Sequence, residues 1–215
     1  MAKKKRARIA ALKAFPNVTH HPSDYKGQWR TVFNNDNPMT LELGCGKGDY
    51  ALTLAQQNPN RNYIGVDLKG SRLWAAANQA MEKNIRNVFF IRGNVLDLTN
   101  AFEPGDISEI WITFPDPYRK KPRKRLTASR YLDVYKQICL SRTRIHLKTD
   151  DDELYRFSLE SISDYGCTIH HNIKDVHGGI VDEKLKIMTF YEKQHVAAGL
   201  SIKYIQFSLP QEDSQ

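Results

Sequence analysis

The 215-residue chain carries 32 Lys and Arg against 24 Asp and Glu, a formal net charge of +8, and is 40% hydrophobic. That length suits one large domain with its own core, and the positive excess favours a polyanion, nucleic acid before an anionic membrane surface. No apolar run approaches the roughly 18 residues of a membrane span; Cys45, Cys139 and Cys167 lie far apart with no C-x-x-C pair, which argues against a zinc ribbon or disulfide framework and suits a reducing, cytoplasmic compartment.

The chain opens on MAKKKRARIAALKAF, basic and without the apolar core of a secretion signal. Residues 1–30 read as a basic N-terminal arm suited to RNA, and residues 31–215 as a single domain. Apolar runs predict strands at 39–44, 62–68, 87–93, 109–114 and 144–149, separated by helical patterns over 48–57, 70–83, 127–141 and 151–164. Pro59 stops the first of these helices. After Gly166 the runs CTIHHNI, TFYEKQHVAAG and SIKYIQFSL read as strand, short helix and strand. The alternation predicts an α/β fold: a mostly parallel seven-stranded sheet with helices on both faces and an antiparallel edge strand.

LELGCGKGDY, residues 41–50, joins the first of those strands to its helix. Gly44, Gly46 and Gly48 let the backbone turn tightly beside a ligand. A phosphate loop fails because Lys47 is followed by Gly48, and a dinucleotide fingerprint fails at Asp49, where its third glycine belongs. The remaining pattern, E-x-G-x-G-x-G, resembles the first motif of S-adenosylmethionine methyltransferases. Its acids, Glu42 and Asp49, suit a cationic sulfonium better than a pyrophosphate. Asp67 closes the next strand where a carboxylate accepts ribose hydroxyls, and Asn94 follows the third as a partner for adenine.

WITFPDPYRKKPRKRL places Asp116 between two prolines at the end of the fourth main strand, then six cations in the seven residues 119–125. Ligands of open α/β sheets sit beyond the carboxyl ends of the strands. Asp116 therefore faces the methyl donor, while the cations neutralise phosphates.

Together ELGCGKGDY, IGVDL, FPDPYRKK, HLKTD and TFYE resemble, in order and spacing, the bacterial tRNA (guanine-N7-)-methyltransferases over residues 40–207. The resemblance implies a Rossmann-like methyltransferase fold and S-adenosylmethionine contacts from Glu42, Asp67, Asn94 and Asp116. It implies substrate contacts from Lys120, Asp150 and the stretch Thr189 to Glu192. The implied reaction is methylation of N7 of a guanine in the tRNA variable loop, by a monomer or homodimer that needs neither metal nor membrane. Tyr118-Arg119 stand where the family more often has Trp-Pro, the basic loop is about two residues short, and Asn94 replaces a frequent Asp. Two rivals share the fold: a methyltransferase acting on an exocyclic amine, disfavoured because DPY is one proline short of that element, and an RNA-binding module without catalysis.

Guanine N7 has an in-plane lone pair and no proton to lose, so positioning and charge stabilisation replace a general base. Asp116, Asp150 and Glu192 are the carboxylates available for the cationic product ring, and Tyr118 is a candidate for stacking on an extruded base.

Overall fold

The computed structural model describes residues 2–179 and 181–211, with side chains from Arg6 onward. Helix α1 (Ala2–Ala11), strand β1 (Val18–Thr19) and helix α2 (Trp29–Phe33) precede the first predicted strand. The following elements are β2 (Met39–Leu43), α3 (Asp49–Gln57), β3 (Asn62–Asp67), α4 (Gly70–Glu82), β4 (Val88–Arg92), β5 (Ile107–Thr113), α5 (Ser129–Ile138) and β6 (Cys139–Thr149). Helix α6 (Asp152–Asp164), β7 (Thr168–Ile173), α7 (Phe190–Ala197) and β8 (Lys203–Ser208) complete the chain. Every residue of β2 and β3 is buried, as continuous apolar strands must be when helices cover both faces.

The sheet has eight strands in the order β1-β4-β3-β2-β5-β6-β8-β7, one more than expected. The extra strand is β1, two residues paired in parallel with β4 and too short to leave a periodic signal. It ties the segment read as an arm into the sheet, and Leu12, Val18 and Trp29 of that segment are core residues. The antiparallel strand is also not at the edge: β8 pairs with β6 on one side and β7 on the other. Helix α5 ends at Ile138 rather than 141, because β6 starts at Cys139 without a loop.

Two cores fill the two faces. One gathers Trp29, Leu41, Leu43, Ile112, Tyr135 and Ile162 beneath α2, α5 and α6; the Trp29 indole stacks on Phe102 and donates to the Ala101 carbonyl at 2.8 Å. The other gathers Tyr50, Leu73, Ala76, Phe90 and Trp111 beneath α3 and α4. Among the described residues no helix is long and apolar enough to cross a membrane.

Gly48 sets the entry to α3. Its φ is +73°, and a Cβ there would fall 2.9 Å from Cβ of Ala76 in α4. Gly48→Ala therefore combines left-handed strain of about 1–2 kcal/mol with overpacking of about 1–3 kcal/mol. The urea midpoint should fall with its slope unchanged; a wild-type midpoint would show that α3 and α4 separate freely.

Candidate active site

The strands β4, β3, β2 and β5 end side by side, and the loops that follow them line an open cleft of about 740 Å³ with Gly44, Asp67, Asn94, Asp116 and Tyr118. A second hollow shares Gly44, Arg72 and Phe114 with it and adds Glu42, Gly46, Asp49, Thr189, Phe190 and Tyr191. Most of the residues picked out in the sequence thus converge. Gly48, Lys120, Asp150 and Glu192 do not line either hollow.

Each carboxylate is held differently. Glu42, at the centre of the sheet, accepts from the Ala51 amide at 2.9 Å and the Thr113 hydroxyl at 2.8 Å, bracing the start of α3 against the end of β5. Burial outweighs both bonds and pushes its carboxyl up to about 8. Asp67 accepts from the amides of Gly46 at 2.9 Å and Lys69 at 2.7 Å, so it also fixes the glycine loop. Asn94 accepts from the Leu96 amide at 3.1 Å, which leaves its Nδ2 donor for the cleft.

The β5 loop is strained where it matters. Phe114 has φ +50° and Tyr118 φ +41°, bracketing Pro115-Asp116-Pro117 with two left-handed residues that are not glycine. Between them Asp116 projects into solvent, 3.7 Å from the Lys69 ammonium. Asp150 sits behind the loop: its Oδ2 is 2.8 Å from Nδ1 of His195, whose ring stacks against Phe114.

The chain between β7 and β8 does not turn back at once. Residues 174–179 and 181–202 form a strap across the sheet, pinned from below by Lys148. That ammonium, fully buried, donates to the carbonyls of Leu185 at 3.0 Å and Ile187 at 3.2 Å and lies 2.7 Å from Glu192. His177 reaches the same carboxylate at 3.0 Å. A second anchor runs from Lys184 to the buried Glu109 at 2.8 Å; burial pushes Glu109 up, but His146 and Lys184 override it and hold the carboxyl at about 2. The strap delivers Thr189 to the cap of α7, where its hydroxyl accepts from the Glu192 amide at 3.1 Å, and the Phe190 amide donates to Asp49 at 3.0 Å.

Two expectations change. Glu192 is fully enclosed, so its contact is with Lys148, not with an arriving base. Arg125 is 2% exposed: it donates to the Pro117 carbonyl at 2.8 Å, pairs with Glu153 and lies over the Phe157 ring, supporting the loop from within. Arg119 is paired with Asp151 at 2.8 Å. Lys120, Lys121, Arg123 and Lys124 of the basic run are exposed and make no ion pair among the described residues. Sequence reading passed over Lys148, although a lysine within the apolar run RIHLKT was a signal, and over Phe114 and Arg72, which carry none.

Fold and cleft together define a Rossmann-like methyltransferase. Residues 36–205 match the family described as putative methyltransferase. A tRNA (guanine-N(7)-)-methyltransferase of Bacteroides fragilis is 40% identical over 99% of this chain and 88% of its own. One of Bacillus subtilis is 38% identical over 85% of each. The chain belongs to the tRNA (guanine-N(7)-)-methyltransferase family. Among solved structures, the 16S rRNA methyltransferase KamB superposes with a TM-score of 0.65 at 14% identity, covering 86% of this chain and 94% of that one. An A1408 methyltransferase from an uncultured bacterium gives 0.62 at 16%, covering 86% and 93%; at such identities the likeness is one of fold.

The strap's dependence on Lys148 is measurable. Glu192→Gln strands a buried ammonium and should cost about 3–5 kcal/mol in chemical denaturation, whereas the double change Lys148→Met, Glu192→Leu should recover most of it. A single variant as stable as wild type would show that other contacts hold the strap.

Proposed function

We propose that the protein transfers a methyl group from S-adenosylmethionine to N7 of a guanine in the variable loop of tRNA. The observation that carries this reading is the meeting, at the carboxyl ends of the strands, of a cleft that presents Asp67, Asn94 and Asp116 with an exposed cationic loop, Lys120, Lys121, Arg123 and Lys124, the last of which also lines the cleft. Asp67 and Asp116 there, with Glu42 and Asp49 in the adjoining hollow, suit a cofactor that bears a sulfonium and an ammonium, and the left-handed Gly44, with no atom within 4 Å of where its Cβ would stand, leaves the loop open to it. Bound there, S-adenosylmethionine supplies an electrophilic methyl group.

Asp67, released from Gly46, offers oxygens to ribose, and Asn94 offers Nδ2 to adenine. Glu42 and Asp49 favour the ammonium end. In such a transfer the methyl group would leave sulfur as its bond to N7 formed, so positive charge would appear on the purine with no proton to remove. Asp116 stabilises that ring charge and accepts from the guanine N1–H or exocyclic amine. Tyr118 covers the base, and Lys120 and its neighbours hold the adjoining phosphates. Asp150 acts through His195 on Phe114, and Glu192 acts through the strap on Thr189. Both are positioning residues in this scheme.

Asp116→Ala should lower the rate of methyl transfer at least about a hundredfold, the scale of one lost charge-stabilising group, while tRNA affinity stays within about twofold. Nuclease digestion and mass spectrometry of the product identify the methylated atom; a labelled exocyclic amine, or an unchanged rate, overturns the assignment. Glu42 adds a pH dependence. Its carboxyl, raised from 4.5 to about 8 in the free protein, is protonated at neutral pH, and a cationic ligand favours the ionised form. Cofactor binding should therefore release protons at pH 7 and tighten as pH rises toward 8, read by calorimetry in buffers of different ionisation enthalpy. The free protein should lose stability over the same rise, because a raised folded pKa stabilises only below it. Proton-neutral binding would show that Glu42 is already ionised.

A further inference from the structure

A second gathering of cations lies across the cleft from the basic loop, and the parallel sheet puts it there. β1, β4 and β3 run side by side, so their carboxyl ends bring His20 and His21, Arg92, and Lys69 to the rim that holds the cleft. Helix α1 packs against α4 behind them. The Arg8 guanidinium lies 4.6 Å from the Trp74 ring centroid, and Phe15 packs on the same indole, leaving Arg6 and Lys13 exposed. Gly70 makes room for Arg92, since a Cβ there would fall 3.0 Å from its Nε. Burial, then the positive charges of Arg92 and Lys13 and the neighbouring His21 ring, hold the His20 imidazole below its ordinary range.

Apart from the 3.7 Å approach of Lys69 to Asp116, no ion pair answers this charge among the described residues. The first 35 residues contain a single one, Asp24, and residues 83–96 contain none. Arg6, Arg8, Lys13 and Arg92 make no ion pair among the described residues. The cations inside the fold behave otherwise: Lys148, Arg125 and Lys184 each face a carboxylate. A surface that collects like charges without counter-charges is fitted to an outside polyanion.

We propose that Arg6, Arg8, Lys13, His20 and Arg92 form a second backbone-binding patch for the RNA substrate, holding phosphates remote from the target nucleotide. The inference rests on the tRNA reading above. Four strand spacings, about 19 Å in all, separate β1 from β5, so the two patches serve different stretches of backbone and the target base falls between them. Phosphate contacts position an RNA without reading its sequence. The patch therefore selects a folded shape: a complete tRNA spans both sites, whereas a short hairpin carrying the target guanine reaches one.

The test compares Lys13→Gln/Arg92→Gln with Lys120→Gln/Lys121→Gln/Arg123→Gln, on full-length tRNA and on an isolated variable-arm hairpin. For the first variant, KM for tRNA should rise about tenfold and the slope of log affinity against log salt should lessen by about two. Its hairpin kinetics, melting temperature and methyl-donor affinity should match wild type. The loop variant should weaken both RNAs alike. The charge-conserving Lys13→Arg/Arg92→Lys variant should keep the wild-type KM for tRNA. Wild-type tRNA kinetics in the Gln variant, equal weakening on both RNAs, or lost donor affinity would each overturn the patch. Failure of the functional reading looks different, because the wild-type protein would then methylate neither RNA.

Discussion

The connection from β7 to β8 must leave the sheet, cross its face and return, and one sealed charge decides its course. Lys148 has three N–H groups and no water to receive them. The carbonyls of Leu185 and Ile187 and the carboxylate of Glu192 take all three. Any other path for the strap would leave a buried ammonium uncompensated, which is far costlier than a lost surface contact. The placement of Thr189, Phe190 and Tyr191 over the glycine loop follows from that electrostatic requirement rather than from α7's own weak amphipathicity.

Depth sorts the acids into roles. Glu42 and Glu192 are enclosed and brace elements against each other; Asp67 is at the boundary, bonded to the glycine loop yet facing the cleft; Asp116 is exposed between two prolines. The last two face a ligand most directly, while Glu42 reaches only the adjoining hollow. The strain at Phe114 and Tyr118 belongs to the same economy of position, since a relaxed loop would turn Asp116 away from the sheet edge.

The cations divide by the same rule. Arg125, although part of the basic run, serves as an interior post with Glu153 and Phe157, and Arg119 is tied to the cap of α6 through Asp151. Four others in that run, with Arg6, Lys13 and Arg92, make no ion pair among the described residues. Net charge alone could not distinguish them, because a guanidinium is equally basic in either place.

The alternation of apolar runs and helical patterns located β2 to β8 and α3 to α7 within a few residues, since those periods come directly from burial on one or both faces. The glycine loop and Asp67 were legible because a tight turn and a strand-end carboxylate are local features. β1 was not: two residues have no period, and only the free edge of β4 makes them a strand. Nor could spacing show that Glu192 faces Lys148, 44 residues away, or that β8 enters between β6 and β7. By itself the sequence determined the element types, the glycine loop and the positive excess that favours a polyanion. Which charges face solvent and which hold the interior together was decided by tertiary structure, because exclusion from water, the property that separates them, belongs to the packed chain and to no segment of it.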